Sequence, residues 1–228
     1  MTLPAPLSPS RLRLFLDTAK QAEWDEWLGT GLFYGVTSNP TLLKAADIPC
    51  RLPEIGALVS RAVAAGMREV HAQTWGVTAE RLVAHGKELA ALDPRIVVKV
   101  PITRNGIIAV RELRAAGIPT TLTALYAPHQ AVTAAAAGVD YAAPYLGRID
   151  DSGRDGHAEV AMMQAILTGL GSPTRLLVAS IRGAGDLARL AAAGLDTFTF
   201  SAKIAAELFA DPRTRDAAAA FEDAVAGV

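Results

Sequence analysis

The chain has 228 residues, of which 51% are hydrophobic and 20% are charged, enough for one sizeable core but too little for two. We therefore expect a single domain over residues 1–228. The net charge of −1 provides no electrostatic surface for nucleic acid or for an anionic membrane, so neither partner is expected.

The N-terminal segment and the cysteine content bear on the location of the protein. Residues 1–10, "MTLPAPLSPS", have neither the basic region nor the long apolar region of a signal peptide or a membrane span. We expect them to be a loosely ordered lead-in. Cys50 is the single cysteine and cannot form an internal disulfide, which fits a reducing compartment. These features predict a cytoplasmic protein.

The histidines are too far apart to suggest a metal site. None lies in an HExxH motif or in a Cys/His cluster, so the sequence predicts no bound metal. No partner can be argued from the sequence for any of the four, which are His71, His85, His129 and His157.

Short apolar runs alternate along the chain with alanine-rich stretches, beginning with "RLRLFLD" and a helix through "AEWDEWL". Each run has the length and composition of a β-strand. The eight predicted strands cover residues 11–17, 33–39, 68–73, 95–101, 118–126, 139–145, 174–180 and 195–201.

Several predicted helices end in glycine directly before the next strand, as in "ELRAAG" before "IPTTL" and "RLAAAG" before "LDTFT". Glycine after a helix, followed by a strand, is typical of repeated β/α units. Eight such units in a chain of this length predict a (β/α)8 barrel. The alternative is an open doubly wound sheet, but no GxGxxG follows the first strand. The tail, residues 203–228, is predicted to be helical and to pack on the barrel or on a neighbouring subunit.

Polar residues cluster at the ends of the predicted strands. In a (β/α)8 barrel the functional residues lie at the C-terminal ends of the strands and in the loops that follow them. One carboxylate, one lysine, several hydroxyls and two arginines would converge there, a set that suits carbonyl chemistry on a phosphorylated substrate. The candidates are Asp17, Asn39, Gln73, Lys99, Thr123, Tyr145, Arg148, Ser180 and Arg182. Thr37 and Ser38 are interpreted as local structure.

The strand "IVVKVPIT" places Lys99 among aliphatic residues. Successive side chains of a strand point to opposite faces, so Ile96, Val98 and Val100 share one face and suit the helix-facing side. Lys99 is then predicted to point into the barrel. Desolvation there lowers the pKa of the amine and makes it a nucleophile. The alternative is a structural lysine whose stem is covered while its head reaches solvent.

Four successive segments, "LFLDTA", "GVTSNPTLL", "IVVKVPIT" and "APYLGRIDDSGRDG", resemble the signatures of the transaldolase family, whose small members include fructose-6-phosphate aldolase. The resemblance extends in order from about residue 14 to at least residue 200. It implies a single (β/α)8 barrel and a class I reaction that needs no metal or organic cofactor. The implied substrates are a ketose-phosphate donor and an aldose-phosphate acceptor.

The resemblance also implies catalytic roles for five of the candidates. Lys99 matches the lysine that forms the Schiff base with the ketose carbonyl. Asp17 matches the carboxylate that takes the proton from the C4 hydroxyl as the C3–C4 bond breaks. Thr123 matches the threonine that positions the water used in forming and hydrolysing the imine, with Gln73 and Tyr145 beside it.

The other four candidates match substrate-binding residues of the family. Asn39 and Ser180 match groups that hold the hydroxyls of the dihydroxyacetone unit. Arg148 and Arg182 match the cations that bind the substrate phosphate, a task to which the planar donor fork of arginine is suited. The sequence around Arg182 departs from the family pattern.

Simpler interpretations exist for some of these residues. Asp17 could cap the helix that follows it, and Asn39, which precedes a proline, could serve only as a turn former. Arg148 could pair with Asp150 or Asp151 in a solvated loop.

Alternatives also remain at the level of function. The loop "GRIDDSGRDG" looks like the transaldolases, whereas Gln73 and Tyr145 resemble the aldolase. A sugar-phosphate-binding barrel without catalysis would be expected to have lost Lys99 or Asp17, and an isomerase would more naturally use a carboxylate base without an inward lysine. The small family members form pentamers or decamers, which implies a homo-oligomer.

Overall fold

The computed structural model describes residues 11–226, so the predicted loose lead-in at residues 1–10 lies outside the described residues. Within this range the chain forms a sheet of eight strands, all paired in parallel. Each predicted strand contains one of them. The strands are β1 (Arg13–Asp17), β2 (Gly35–Thr37), β3 (Glu69–Gln73), β4 (Ile96–Pro101), β5 (Thr120–Leu125), β6 (Tyr141–Pro144), β7 (Arg175–Leu176) and β8 (Thr197–Phe200).

The strands are ordered β7-β6-β5-β4-β3-β2-β1-β8, so each strand lies next to its neighbours in sequence and β8 lies next to β1. Backbone hydrogen bonds close the remaining gap: Val178 N donates to Thr197 O (3.0 Å), and Thr199 N donates to Val178 O (2.9 Å). The sheet is thereby a single (β/α)8 barrel, as predicted, and not an open doubly wound sheet.

Helices connect the strands and cover the outside of the barrel. Thr78, Thr103 and Asp155 cap three of them by accepting hydrogen bonds from backbone N–H groups of the first turn. The helices are α1 (Gln21–Trp27), α2 (Pro40–Ala45), α3 (Leu52–Ala64), α4 (Ala79–Ala90), α5 (Arg104–Ala115), α6 (His129–Ala137), α7 (Leu146–Asp151), α8 (Gly156–Gly169), α9 (Ala184–Ala192), α10 (Ala202–Glu207) and α11 (Pro212–Ala226), with a 3-10 turn at Leu28–Thr30.

The two faces of β4 have different surroundings, as the alternation of its side chains predicts. Ile96, Val98 and Val100 belong to the large apolar cluster between barrel and helices. Val97 lies inside the barrel, in a smaller cluster that includes Phe15. Lys99 follows Val97 on the inner face, two residues further toward the C-terminal end of the strand.

Gly35 leaves room for an aromatic ring in the barrel interior. A Cβ atom at this position would lie 2.8 Å from Cε1 of Phe15 and 2.2 Å from the carbonyl oxygen of Glu69. Phe15 is fully buried and contacts the rings of Tyr34, His71 and Tyr141 in edge-on arrangements. The glycine of the "GVTSN" segment therefore allows a large side chain to fill the barrel below the rim.

The seventh strand is shorter than predicted. Regular pairing is limited to β7, and the chain beyond it contacts its neighbours through isolated bridges, Tyr145 with Ala179 and Val178 with Phe198. Ser180 then has a left-handed backbone (φ 59°), which ends the extended conformation. The prediction of a strand over residues 174–180 is correct in place but too long.

The C-terminal tail is helical, as predicted, but it is divided. Helices α10 and α11 are separated by residues 208–211, because Pro212 begins a new helix. No described residue of α11 is buried, so this helix does not pack on its own barrel. Among the described residues, no helix is both long and apolar enough to cross a membrane.

Candidate active site

Lys99 lies inside the barrel at the end of β4. The residue is 4% exposed, and its Nζ donates a hydrogen bond to the carbonyl oxygen of Ser38 (3.1 Å). Burial lowers the pKa of the Lys99 ammonium, and the negative charge of Asp17 acts in the opposite direction. The structure therefore does not support the alternative of a structural lysine whose ammonium group reaches solvent. An amine that loses its proton readily in an enclosed space can attack a carbonyl carbon.

Asp17 ends β1 and is held by the neighbouring strand. Thr37 Oγ1 donates to Asp17 Oδ1 (2.5 Å), and the same hydroxyl shares a hydrogen bond with Thr199 Oγ1 (2.6 Å). Helix α1 has Lys20 at its N-cap, without any side-chain cap, so Asp17 does not cap it. Thr37, interpreted from the sequence as local structure, is a direct partner of the predicted catalytic carboxylate. No motif identifies Thr199, a residue of β8 that contacts Thr37 because β2 and β8 both lie beside β1.

Thr123 and Tyr145 form a hydrogen-bonded pair at the ends of β5 and β6. Their hydroxyl oxygens are 2.9 Å apart. The register between the two strands shifts after Thr123, where Ala124 has a left-handed backbone (φ 64°). Such bulges redirect side chains next to functional sites. Burial raises the pKa of the Tyr145 phenol, while the hydrogen bond with Thr123 acts against the increase, so the phenol keeps its proton at neutral pH.

Gln73 lies next to Lys99 in the barrel wall. The two residues are register partners of the parallel strands β3 and β4, so their side chains point to the same face. The backbone after Gln73 is attached to the same strand, because Thr74 N donates to the carbonyl oxygen of Lys99 (2.9 Å). An amide here can orient a water molecule but cannot act as a base.

Asn39 is the N-cap residue of α2. Its Oδ1 accepts hydrogen bonds from Thr41 N (2.9 Å) and Leu42 N (3.0 Å). The carbonyl side of the amide therefore caps a helix, which differs from the turn former of the simpler interpretation, and only the NH2 group can serve a ligand. Asn39 also follows Ser38, whose carbonyl oxygen accepts from Lys99.

Arg148 lies on α7 and contacts two tyrosines that follow strands β5 and β6. Its Nη1 donates to the hydroxyl of Tyr126 (3.3 Å), and its guanidinium carbon lies 5.1 Å from the ring centroid of Tyr145. The hydrogen bond with Tyr126 raises the pKa of Arg148. Among the described residues Arg148 forms no salt bridge, so the structure does not show the alternative ion pair with Asp150 or Asp151.

Ser180 and Arg182 follow the seventh strand. The Arg182 guanidinium forms a salt bridge with Asp151 (2.5 Å), and both side chains are more than half exposed. Gly147 lies beneath them: a Cβ there would be 2.2 Å from Nε of Arg182 and 2.5 Å from the carbonyl oxygen of Ser180. The "LGR" segment thus needs glycine because two groups of the neighbouring loop contact its backbone.

His71 has partners that the sequence did not suggest. It is fully buried inside the barrel, where Nδ1 is 3.0 Å from Thr121 Oγ1 and Nε2 is 3.1 Å from Glu69 Oε2. Glu69 also accepts from the hydroxyl of Tyr141 (2.7 Å) and from Arg13 (3.1 Å). Burial lowers the pKa of His71, which keeps the imidazole neutral. These groups belong to the barrel below the rim and to its opposite end.

The structure brings most of the predicted site residues together. Lys99, Asp17, Gln73, Thr123 and Tyr145 lie at the C-terminal ends of five strands, as the sequence predicts. The Arg148 guanidinium lies beside the Tyr145 ring at the same rim. The Arg182 guanidinium instead forms a salt bridge with Asp151. In residues 11–226, no group of three or more His, Cys, Asp or Glu side chains is arranged to hold a metal ion. The fold and the rim define the chain as a (β/α)8-barrel protein with a buried lysine and several polar side chains at the C-terminal ends of its strands.

Comparisons with known proteins give the family. Residues 14–227 match the model of the Transaldolase/Fructose-6-phosphate aldolase family. The chain is 37% identical over 205 residues to a protein named "Probable transaldolase" from Caulobacter sp. strain K31, with 89% of this chain and 91% of that one covered. A second "Probable transaldolase", from Kosmotoga olearia, is 38% identical over the same shares of the two chains. This chain belongs to the transaldolase/fructose-6-phosphate aldolase family, whose enzymes act in carbohydrate metabolism.

Solved structures with the same fold are much less similar in sequence. A thiamine phosphate pyrophosphorylase from Pyrococcus furiosus superimposes with a TM-score of 0.59 at 12% identity, covering 84% of this chain and 86% of that one. At this identity the similarity supports the barrel fold alone.

Proposed function

We propose that this protein is a class I transaldolase, which transfers a dihydroxyacetone unit from a ketose phosphate to an aldose phosphate through a Schiff base on Lys99. The observation that carries the proposal is the buried, nearly inaccessible Lys99 amine with a lowered pKa. Burial makes the unprotonated amine available at a pH where an exposed lysine remains charged.

The reaction begins with attack of the Lys99 amine on the ketose C2 carbonyl. The resulting carbinolamine loses water to give a protonated imine. We assign the holding of this water, and the exchange of protons with it, to the Gln73 amide, the register partner of Lys99, and to the hydrogen-bonded hydroxyls of Thr123 and Tyr145. The same water position serves the hydrolysis that ends the cycle.

Cleavage of the C3–C4 bond is possible because the protonated imine can accept its electron pair. The Asp17 carboxylate takes the proton of the C4 hydroxyl, the C3–C4 electron pair moves to the imine as an enamine, and the aldose phosphate leaves. Thr37 holds one oxygen of the carboxylate, which leaves the other oxygen to act as the base. The enamine then attacks the aldehyde of the acceptor, and Asp17 returns its proton to the new hydroxyl.

The substrate-binding roles are assigned on the same basis. The amide NH2 of Asn39 and the hydroxyl of Ser180 are assigned to the hydroxyls of the dihydroxyacetone unit. Arg148, which lies at the edge of the rim without a carboxylate partner in the described part of the chain, is assigned to the phosphate. Arg182 shares this role only in part, because Asp151 already offsets its charge.

Trapping with borohydride tests the covalent step. Incubation with fructose 6-phosphate and borohydride is expected to add a dihydroxyacetone-derived mass to the peptide that contains Lys99. Lys99→Ala is expected to abolish the adduct, while Lys87→Ala, which removes an exposed lysine of α4, retains it. An adduct of the same size in Lys99→Ala would refute the assignment.

A second candidate is aldolase-type cleavage that releases free dihydroxyacetone. The phenol of Tyr145, hydrogen-bonded to Thr123, favours it, because a protonated phenol can deliver a proton to the enamine. We propose transfer as the main reaction and release as a side reaction. The assay compares three-carbon transfer to erythrose 4-phosphate or ribose 5-phosphate with release of free dihydroxyacetone. Rapid release without transfer to either acceptor would make the protein an aldolase.

We also propose that the protein acts as a homo-oligomer, a pentamer or a decamer, in the cytoplasm. Helix α11 supports the oligomer, because its Phe221 and Val225 side chains are more than 70% exposed. Light scattering on the full chain and on a Phe221→Ser variant measures the assembly. A monomeric wild-type protein would refute this proposal without affecting the catalytic one.

A further inference from the structure

We propose that Tyr126 is a positioning residue, which holds Arg148 in place for the substrate phosphate through a hydrogen bond that brings no negative charge to the arginine. The inference rests on the proposed function for the role of Arg148. Tyr126 directly follows β5, and its hydroxyl accepts from Arg148 Nη1 (3.3 Å).

Arg148 needs support because its side chain is exposed and begins in the short helix α7. A free arginine side chain has many rotamers, and binding an anion through it requires that most of them be given up. Two aromatic groups restrict the guanidinium here. Tyr126 binds Nη1 from one side, and the ring of Tyr145 lies 5.1 Å from the guanidinium carbon. The two rings contact each other edge-on, with centroids 5.5 Å apart.

The chemical nature of the support distinguishes Arg148 from Arg182. Arg182 is held by the carboxylate of Asp151, which orders the side chain but offsets its positive charge. Tyr126 offers a neutral oxygen and uses one of the five N–H donors of Arg148. Four donors remain for a phosphate group, and this hydrogen bond places no carboxylate on the guanidinium. A phenol therefore positions the arginine without competing with the anion.

Tyr126 is itself fixed by the start of the next helix. Gln130 Oε1 accepts hydrogen bonds from Tyr126 N (2.7 Å) and Ala127 N (3.1 Å). These contacts hold the loop between β5 and α6 in one conformation. A chain of contacts thus runs from Gln130 through the Tyr126 backbone and hydroxyl to the Arg148 guanidinium.

The first experiment measures binding of inorganic phosphate to the full-length protein by calorimetry, which does not depend on turnover. Tyr126→Phe retains the ring and removes the oxygen, and loss of one such hydrogen bond is expected to weaken phosphate binding about fivefold. Gln130→Ala is expected to weaken it in the same direction. Tyr34→Phe is the matched control, since the Tyr34 hydroxyl contacts Glu69 at 3.4 Å, away from the predicted site.

A double-mutant cycle separates positioning from a general structural effect. If Tyr126 acts through Arg148, then Tyr126→Phe has no further effect in an Arg148→Ala background. Additive losses, or unchanged phosphate binding in Tyr126→Phe, would overturn the proposal. So would a wild-type protein that does not bind phosphate at all.

Kinetics provide the second measurement. In Tyr126→Phe the ratio of KM for fructose 6-phosphate to KM for unphosphorylated dihydroxyacetone as donor is expected to rise about fivefold, the same factor as for phosphate. An equal rise of both KM values would overturn the positioning role. Failure to trap an adduct on Lys99 would instead refute the proposed function and leave the phosphate measurements intact.

Discussion

Thr37 donates a 2.5 Å hydrogen bond to the carboxylate of Asp17, and the two residues are register partners of neighbouring parallel strands. A second hydroxyl, from Thr199, approaches Thr37 at 2.6 Å. Thr199 thereby fixes the Thr37 hydroxyl, which in turn orients the proposed base, and the three residues meet because β2 and β8 both lie next to β1.

We expect Thr37→Val to lower turnover roughly tenfold or more, since a hydrogen bond to a charged group contributes about 1.5–3 kcal/mol. The matched control is Thr120→Val, which removes a buried hydroxyl that has no hydrogen-bond partner among the described residues. Turnover and the free energy of unfolding are measured for both variants. Equal turnover in the two would remove Thr37 from the mechanism.

Asp17→Asn retains the shape of the side chain and removes its basicity. Turnover is expected to fall about 10²–10⁴-fold, the usual contribution of a general base. Imine formation is expected to survive better, because it does not depend on proton removal from C4. Borohydride-trapped adduct and three-carbon transfer are measured on the same samples. Near-normal transfer would contradict the role of Asp17.

The pH dependence of adduct formation follows from the lowered pKa of Lys99. Burial disfavours the ammonium form, so the free amine appears as pH rises through a midpoint below the ordinary lysine value of 10.5. The charge of Asp17 raises the pKa of Lys99, so Asp17→Asn is expected to move the midpoint to lower pH. The initial rate of borohydride trapping is recorded against pH for both proteins. A midpoint that moves upward in Asp17→Asn would contradict this electrostatic coupling.

Tyr145→Phe is expected to lower release of dihydroxyacetone more than three-carbon transfer. Release needs a proton for the enamine and an activated water, and phenylalanine supplies neither a proton nor a partner for the Thr123 hydroxyl. The ratio of release to transfer is the measured quantity, with Tyr34→Phe as the control. An unchanged ratio would show that the proton comes from another group.

Removal of the two arginines is expected to have unequal effects. Arg148→Ala should raise KM for fructose 6-phosphate at least about tenfold, as expected for loss of a charged contact. Arg182→Ala should have a smaller effect, because Asp151 neutralises this arginine. Asp151→Asn is expected to lower KM for phosphorylated donors by releasing Arg182. Equal losses for phosphorylated and unphosphorylated donors would indicate structural roles for both.

The sequence by itself determined the units of the fold. Apolar runs bounded by glycine-ended helices identify all eight strands, and the two-residue period of "IVVKVPIT" predicts which way Lys99 points. These are local properties, set by side-chain alternation and backbone preference over a few residues. The length of β7 could not be predicted in this way, because its end depends on the left-handed backbone of Ser180.

Only the tertiary structure decided which polar side chains act on one another. Asp17, Thr37 and Thr199 are far apart in the sequence and meet because the barrel closes with β8 beside β1. The barrel likewise brings Thr121 to His71, and it pairs Asp151 with Arg182 rather than with Arg148. Hydrogen bonds and ion pairs require distances of about 3 Å, which strand register sets and sequence spacing does not.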